Sequence, residues 1–187
     1  QQAVAEAVER EIKAQGIEHD AEGNRIKALL HCLETRCPET GWMVPMSTTW
    51  VVSKIRSTIA RLEPDHANKR FHIRIVSGVA PEELAAASEG TVQSSHLVYE
   101  LNGQTYRTPV KTLRGDYRLA DGTSGNRLRQ WERSDFKPRA DDILQERLYV
   151  VQWVTRDTVD AGRQETYFAE PTEADLERER KVEEIVS

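Results

Sequence analysis

His96-Leu97-Val98-Tyr99-Glu100-Leu101 and Gln104-Thr105-Tyr106-Arg107-Thr108 are two runs joined by Asn102-Gly103. Asn-Gly supplies the two residues that most readily take positive φ, as a tight hairpin turn requires, so the segment reads as an antiparallel β-hairpin. Strand texture continues on both sides of it. Trp42-Met43-Val44-Pro45-Met46 and Thr48-Thr49-Trp50-Val51-Val52 are rich in β-branched and aromatic residues, and Phe71, Ile73 and Ile75 alternate with His72, Arg74 and Val76. Further on, the latter part of Ile143–Val154 reads as a buried strand with a start that is also compatible with helix, and Thr166–Ala169 as a short strand.

Helical signals lie outside this strand-rich middle. Ala3, Val4, Ala7, Val8, Ile12 and Ala14 recur at three- and four-residue spacing over residues 2–15, and Gly16 stops the pattern. The spacing of Ile26, Leu29, Leu30 and Leu33 predicts a second helix from about Glu22 to Glu34. Ala80-Pro81-Glu82-Glu83 opens a short helix that ends by Gly90, with proline and acids in its first turn. From Thr172 to Val186 a charged helix is expected, Thr172 and Asp175 approximating a capping box. The expected class is α+β, with short, mostly antiparallel strands and helices at both ends of the chain. A single domain over residues 1–187 is expected, with a helical lead-in at 1–36. Turn, strands and hairpin follow at 37–108, a loop at 109–139, and strands with the last helix at 140–187.

Composition bounds the function. The chain has 187 residues, 38% hydrophobic and 30% charged, enough to bury a core and too apolar for a disordered segment. It contains no apolar run near the roughly 18 residues of a membrane span, and no secretory leader pattern. Two cysteines exclude a disulfide scaffold and fit a reducing, cytoplasmic setting. The net charge of −5 argues against nucleic acid when taken whole, but it is an average. Residues 107–139 carry +5, residues 140–187 carry −7 and residues 1–46 carry −3. The basic block is Arg107, Lys111, Arg114, Arg118, Arg127, Arg129, Arg133, Lys137 and Arg139, interleaved with Tyr106, Tyr117 and Trp131. Gly115, Gly122 and Gly125 make it read as a long surface loop, and arginine's planar fork suits phosphate. The plainer alternative is a solvated face whose arginines pair with the acidic C-terminal third.

Catalytic patterns are absent. No Gly-x-Gly and no Gly-Lys-Ser/Thr occurs, so neither a dinucleotide fingerprint nor a P-loop is available. Ser95-His96 lies on a hairpin strand and has no nucleophile elbow around it. Asp135-x-Lys137 is a fragment of a nuclease-like spacing, and Asp141, Asp142 and Glu146 could hold a hard cation, though acids that open a helix explain them as well. His31, Cys32 and Cys37-Pro38-Glu39-Thr40-Gly41 suggest metal, but zinc needs four ligands. Position 40 is threonine and no later cysteine exists, so His31, Cys32 and Cys37 are not assigned as metal ligands. The turn is expected to be a knuckle kept without its metal, proline setting one φ and glycine permitting a positive one.

Cys32-Leu33-Glu34-Thr35-Arg36-Cys37-Pro38-Glu39-Thr40-Gly41-Trp42 resembles the start of an insert in a family of large adenine-specific DNA methylases described as containing a zinc ribbon. Gly90-Thr91-Val92 resembles the approach to that ribbon's second knuckle. Glu146-Arg147-Leu148-Tyr149 and Pro171-Thr172-Glu173-Ala174-Asp175-Leu176 resemble segments beyond it. Trp131-Glu132-Arg133-Ser134-Asp135-Phe136 and Pro138 look like a branch associated with anti-phage defence. The resemblance implies S-adenosylmethionine-dependent methylation of adenine N6 by a parent enzyme. This chain would be its insert, with no catalytic residue and no cofactor of its own. Lys111, Arg114, Arg118, Arg127, Arg129, Arg133, Lys137 and Arg139 are then expected to hold phosphates of duplex DNA, one or two arginines reaching guanine edges. The partners implied are DNA and the catalytic domain of the same polypeptide. The alternative is an interaction module that docks a defence-system protein through the acidic last helix and exposed aromatics. A third reading, an independent nuclease or hydrolase, rests on Asp135-x-Lys137 and the nearby acids.

Overall fold

A computed structural model describes residues 2–186. The chain is α+β and mostly strand. In order it forms α1 (Gln2–Gln15), β1 (Arg25–Arg36), β2 (Met43–Met46), β3 (Val51–Ser53), β4 (Thr58–Asp65), β5 (Arg70–Val76), α2 (Pro81–Ala86) and β6 (Val92–Gln93). There follow β7 (His96–Leu101), β8 (Gln104–Pro109), α3 (Val110–Leu113), β9 (Tyr117–Arg118), β10 (Ser124–Gly125), β11 (Leu144–Val154), β12 (Thr166–Ala169) and α4 (Glu173–Val186). Two compact units result: residues 32–147, and residues 1–31 together with 148–187.

The expected helix over residues 22–34 is instead strand β1, which corrects the helical lead-in. Its apolar residues satisfy two periods at once. Ile26, Leu29, Leu30 and Leu33 fit a helix, while Ile26, Ala28, Leu30 and Cys32 alternate as in a strand. Within the unit of residues 32–147, antiparallel pairing with β2 from Leu33–Met46 to Arg36–Met43 selects the second period. Cys32 and Glu34 are buried, and Leu33 stays partly exposed. The start of β11 is likewise strand, so Asp141, Asp142 and Glu146 open no helix.

In that unit the strand order is β11-β1-β2-β5-β4-β3, beside a smaller sheet β6-β7-β8. The Asn102-Gly103 hairpin forms in the expected register, Leu101 opposite Gln104 and Tyr99 opposite Tyr106, with both turn residues at positive φ. Strand β5 is also as expected, whereas β4, which no expectation covers, proves to be its long antiparallel partner. The core is aromatic. Trp42 packs on Phe71 with ring centres 5.3 Å apart, Phe71 meets Tyr99 edge-on at 5.9 Å, and Tyr99 stacks on Tyr106 at 5.4 Å. Val44, Leu97, Leu101 and Leu113 fill around them.

One charged group lies at the edge of this core. Glu34 is buried, and its carboxylate accepts from Arg70 at 3.0 Å and Arg147 at 3.3 Å. Arg147 also donates to the Phe71 carbonyl at 2.7 Å, and its burial pulls its basicity below the usual arginine value. Gly90-Thr91-Val92 packs against Pro45–Thr48: Thr91 donates to the Pro45 carbonyl, Val92 N–H to Ser47 and Gly90 N–H to Thr48. A Cβ on Gly90 would sit 2.0 Å from the Ser47 carbonyl oxygen, so no side chain fits there.

The other unit contains the strand order β12-β11-β1. Leu148, Val151 and Trp153 form its core with Ile26, Ala169 and Leu176. The capping box at α4 is present: Thr172 N–H donates to Asp175 at 2.7 Å, and Asp175 N–H to Thr172 Oγ1 at 3.3 Å. Arg178 lies 5.5 Å over the Trp153 ring and pairs with Asp175, while His31 meets Glu179 at 2.5 Å. Among the described residues no helix is long and apolar enough to cross a membrane.

Replacing Glu34 with glutamine strips the charge from between two guanidinium groups at a mostly buried site. The expected cost is about 3 kcal/mol, read from the urea unfolding midpoint. Gly90→Ala is expected to cost about 2 kcal/mol by overpacking against Ser47 in the same measurement.

Candidate nucleic-acid interface

The basic segment is not a structureless loop. It starts from β8, turns through α3, whose Leu113 is buried, and continues into the small hairpin β9-β10. The turn of that hairpin is closed by Leu119 N–H to Thr123 at 2.7 Å and by Asp121 accepting from Thr123 N–H at 2.9 Å. Gly115 is needed next to it: φ is +64°, and Arg127 lies so close that a Cβ would be 2.8 Å from its side chain. Arg127 N–H donates to the Arg114 carbonyl, which brings the two limbs of the segment together.

Beyond the hairpin, residues 129–142 are tied into a knot of charge. Arg129 makes a two-pronged contact with Asp142, at 2.9 and 2.8 Å, and a further one with Asp135. Arg139 reaches Asp135 at 3.1 Å and Glu132 at 3.1 Å, and its N–H donates to Asp142. Asp135 also accepts the Glu132 N–H at 2.6 Å. That bond first, and then the Arg129 guanidinium, hold the Asp135 carboxyl down to about 2. Paired guanidinium–carboxylate forks of this kind specify geometry as well as contributing energy.

This arrangement divides the expected site residues into two groups. Arg129 and Arg139 face carboxylates, and Arg114 is forked onto Asp116 at 3.1 and 2.6 Å. Lys137 is also engaged. Lys111, Arg118, Arg127 and Arg133 are exposed and pair with no carboxylate among the described residues. The arginines therefore pair mainly inside their own segment and with Asp142. Along the chain Asp135 stands close to Lys137 and Asp142 adjoins Asp141, and nothing in that order reveals that both acids organise Arg129, six and thirteen residues before them. Trp131 and Phe136 stand 51% and 58% exposed around the knot. A slot of about 320 Å³, lined by Leu33, Leu128, Trp131 and Pro138, opens beside Trp131.

At the Cys37–Gly41 turn, Gly41 N–H donates to the Cys37 carbonyl at 2.8 Å, and Gly41 has φ +73°. The Cys37 sulfur is fully buried and lies 3.6 Å from Thr108 Oγ1. Burial pushes that thiol up, but hydrogen bonds from Tyr99, Thr108 and the N–H groups of Thr40 and Glu39 outweigh it and bring it below its ordinary value. Thr40 spends its hydroxyl on Tyr99 at 2.6 Å. Cys32 is pushed up to about 12 by burial. Among the described residues no three His, Cys, Asp or Glu side chains converge as a metal site.

Compared with protein-family models, curated proteins and solved structures, the chain matches none.

Because the folded Asp135 carboxyl lies below the ordinary value near 3.9, its contribution is complete above about pH 4 and is lost as pH falls through about 2. A carboxyl-carbon NMR titration is expected to give a midpoint near 2. In Arg129→Met the midpoint should move up toward the ordinary value, and an unchanged midpoint would remove Arg129 from the knot.

Proposed function

We propose that this chain is a non-catalytic DNA-recognition or accessory domain of an S-adenosylmethionine-dependent, adenine-specific DNA methyltransferase that acts in phage defence. The observation that supports the reading most is the sorting of charge in residues 107–139. Local carboxylates hold Arg114, Arg129 and Arg139, while Lys111, Arg118, Arg127 and Arg133 are left exposed. A scaffold that neutralises its own framework and presents the remaining cations is suited to phosphate contact, and electrostatic footprints are local whatever the total charge. An enzyme that must extrude its target base leaves room for other elements to grip the duplex. The methyl donor and the transfer chemistry belong to the catalytic domain of the parent polypeptide. We read Cys37–Gly41 as a degenerate zinc-ribbon knuckle, with backbone N–H groups still aimed at the sulfur and Thr40 at the position of a second ligand.

Exposed Trp131 and Phe136 favour a second reading, in which the same surface docks a protein of a defence complex and makes no contact with DNA.

Fluorescence anisotropy of a labelled duplex with the 187-residue chain separates the two. Under the first reading binding weakens steeply with salt. Arg118→Ala/Arg127→Ala/Arg133→Ala should then reduce affinity at least about tenfold and flatten the log–log salt slope by about 0.9 for each phosphate no longer neutralised. Wild-type protein that fails to bind duplex at low salt, or a triple variant that binds equally well, rejects it.

A further inference from the structure

The hairpin that defines the fold also carries a cavity, whose rim shares Lys111 with the proposed DNA surface. Leu97, Tyr99 and Leu101 point into the core, so strand alternation sends His96 and Val98 to the opposite face. Register places Pro109 across from His96 and Arg107 across from Val98, on that same outer face. Immediately after Pro109 the chain enters α3, and the buried side chain of Leu113 fixes the direction in which Lys111 and Arg114 leave it. Val110 N–H donates to the Ser95 carbonyl at 2.9 Å and closes the end of the space. The result is a cavity of about 550 Å³, walled by half-buried Val92, Pro109 and Val110 and rimmed by Ser95, His96, Lys111 and Arg114.

The rim is cationic. Arg114 is balanced by Asp116, but Lys111 pairs with no carboxylate among the described residues. An Arg107 guanidinium nitrogen lies 3.4 Å from His96 Nδ1. That Nδ1 is 2.8 Å from the Ser94 carbonyl oxygen, which can only accept, so Nδ1 carries the hydrogen, and the neutral ring offers Nε2 as an acceptor for a P–O–H hydrogen. Ser94 and Ser95 both hold positive φ, +47° and +61°, in a turn where glycine or asparagine is the ordinary choice. Non-glycine residues in this region cost energy that surrounding structure must offset, and such positions cluster at ligand clamps.

We infer that this cavity binds a phosphate group, held at the rim by Lys111, with His96 Nε2 accepting from a protonated phosphate oxygen and the apolar part of the phosphorylated ligand against Val92, Pro109 and Val110. The volume suits a nucleotide-sized ligand. A mononucleotide and a phosphate of duplex DNA offer the same anion, and only the duplex source rests on the proposed DNA function. Lysine supplies a mobile point charge, which tolerates either a terminal or a bridging phosphate.

NMR of the ¹⁵N-labelled 187-residue chain, titrated with adenosine 5′-monophosphate, inorganic phosphate, adenosine and a short duplex, tests the assignment. The monophosphate and phosphate are expected to shift the amides of Ser95, Val110 and Lys111 saturably and to compete, while adenosine leaves them in place. Lys111→Glu should weaken the monophosphate at least about tenfold, and His96→Ala should weaken it in the same direction. Arg118→Ala/Arg127→Ala/Arg133→Ala should leave it unchanged, so that failure of duplex binding and failure of the pocket are read separately. Displacement of the monophosphate by duplex identifies the DNA backbone as the source, and binding without displacement identifies a free nucleotide. No saturable shift with any phosphate-bearing probe, or equal affinity in a Lys111→Glu protein with an otherwise unchanged spectrum, overturns the proposal.

Discussion

A single carboxylate, Glu34, holds the larger unit in register. It is buried, and both Arg70 and Arg147 donate to it. Removing a charge of this kind from water costs several kcal/mol, so its two partners must stay in place whenever the unit is folded. Their positions propagate. Arg70 opens β5 opposite Met43, and Arg147 ends its reach on the Phe71 carbonyl, which sets Phe71 between Trp42 and Tyr99. Tyr99 in turn is one of three inward residues of the hairpin strand whose outer face carries His96. A buried ion group on one edge of the core thus orients the surface on the other.

The basic segment uses the same physics in a more exposed setting. Asp135 and Asp142 each serve two arginine-bearing positions, and the segment is shaped by that pairing rather than by a hydrophobic core of its own. Exposed single ion pairs contribute little, but shared carboxylates with backbone N–H donors fix a conformation because each acid satisfies several groups at once. Counting cations therefore overstates the charge this surface presents. Three of its arginines belong to the scaffold, and pairing with carboxylates, not residue type, separates them from the rest.

Several elements were legible residue by residue. The Asn102-Gly103 hairpin, the Phe71–Val76 strand, the Pro81 helix and the Thr172–Asp175 cap rest on signals confined to a few neighbours: turn chemistry, alternation, and a side chain that reaches its own backbone. Residues 22–34 were not legible, because their apolar residues fit both a 3.6 and a 2.0 period and nothing local decides between them. Strand β4 alternates, Ala60, Leu62 and Pro64 against Arg61, Glu63 and Asp65, but its proline and charges carry low strand propensity, and its pairing with β5 supplies what propensity does not.

For the candidate site, sequence alone determined that positive charge is concentrated between residues 107 and 139 and that the Asn-Gly hairpin precedes it, since both follow from the order of residues along the chain. Only the tertiary structure decided which cations are available. Asp135 and Asp142 approach Arg129 from different distances along the chain, and no periodicity records such a meeting. The same holds for the cavity rimmed by His96 and Lys111, which exists because cross-strand register and the buried anchor of Leu113 bring together residues fifteen positions apart.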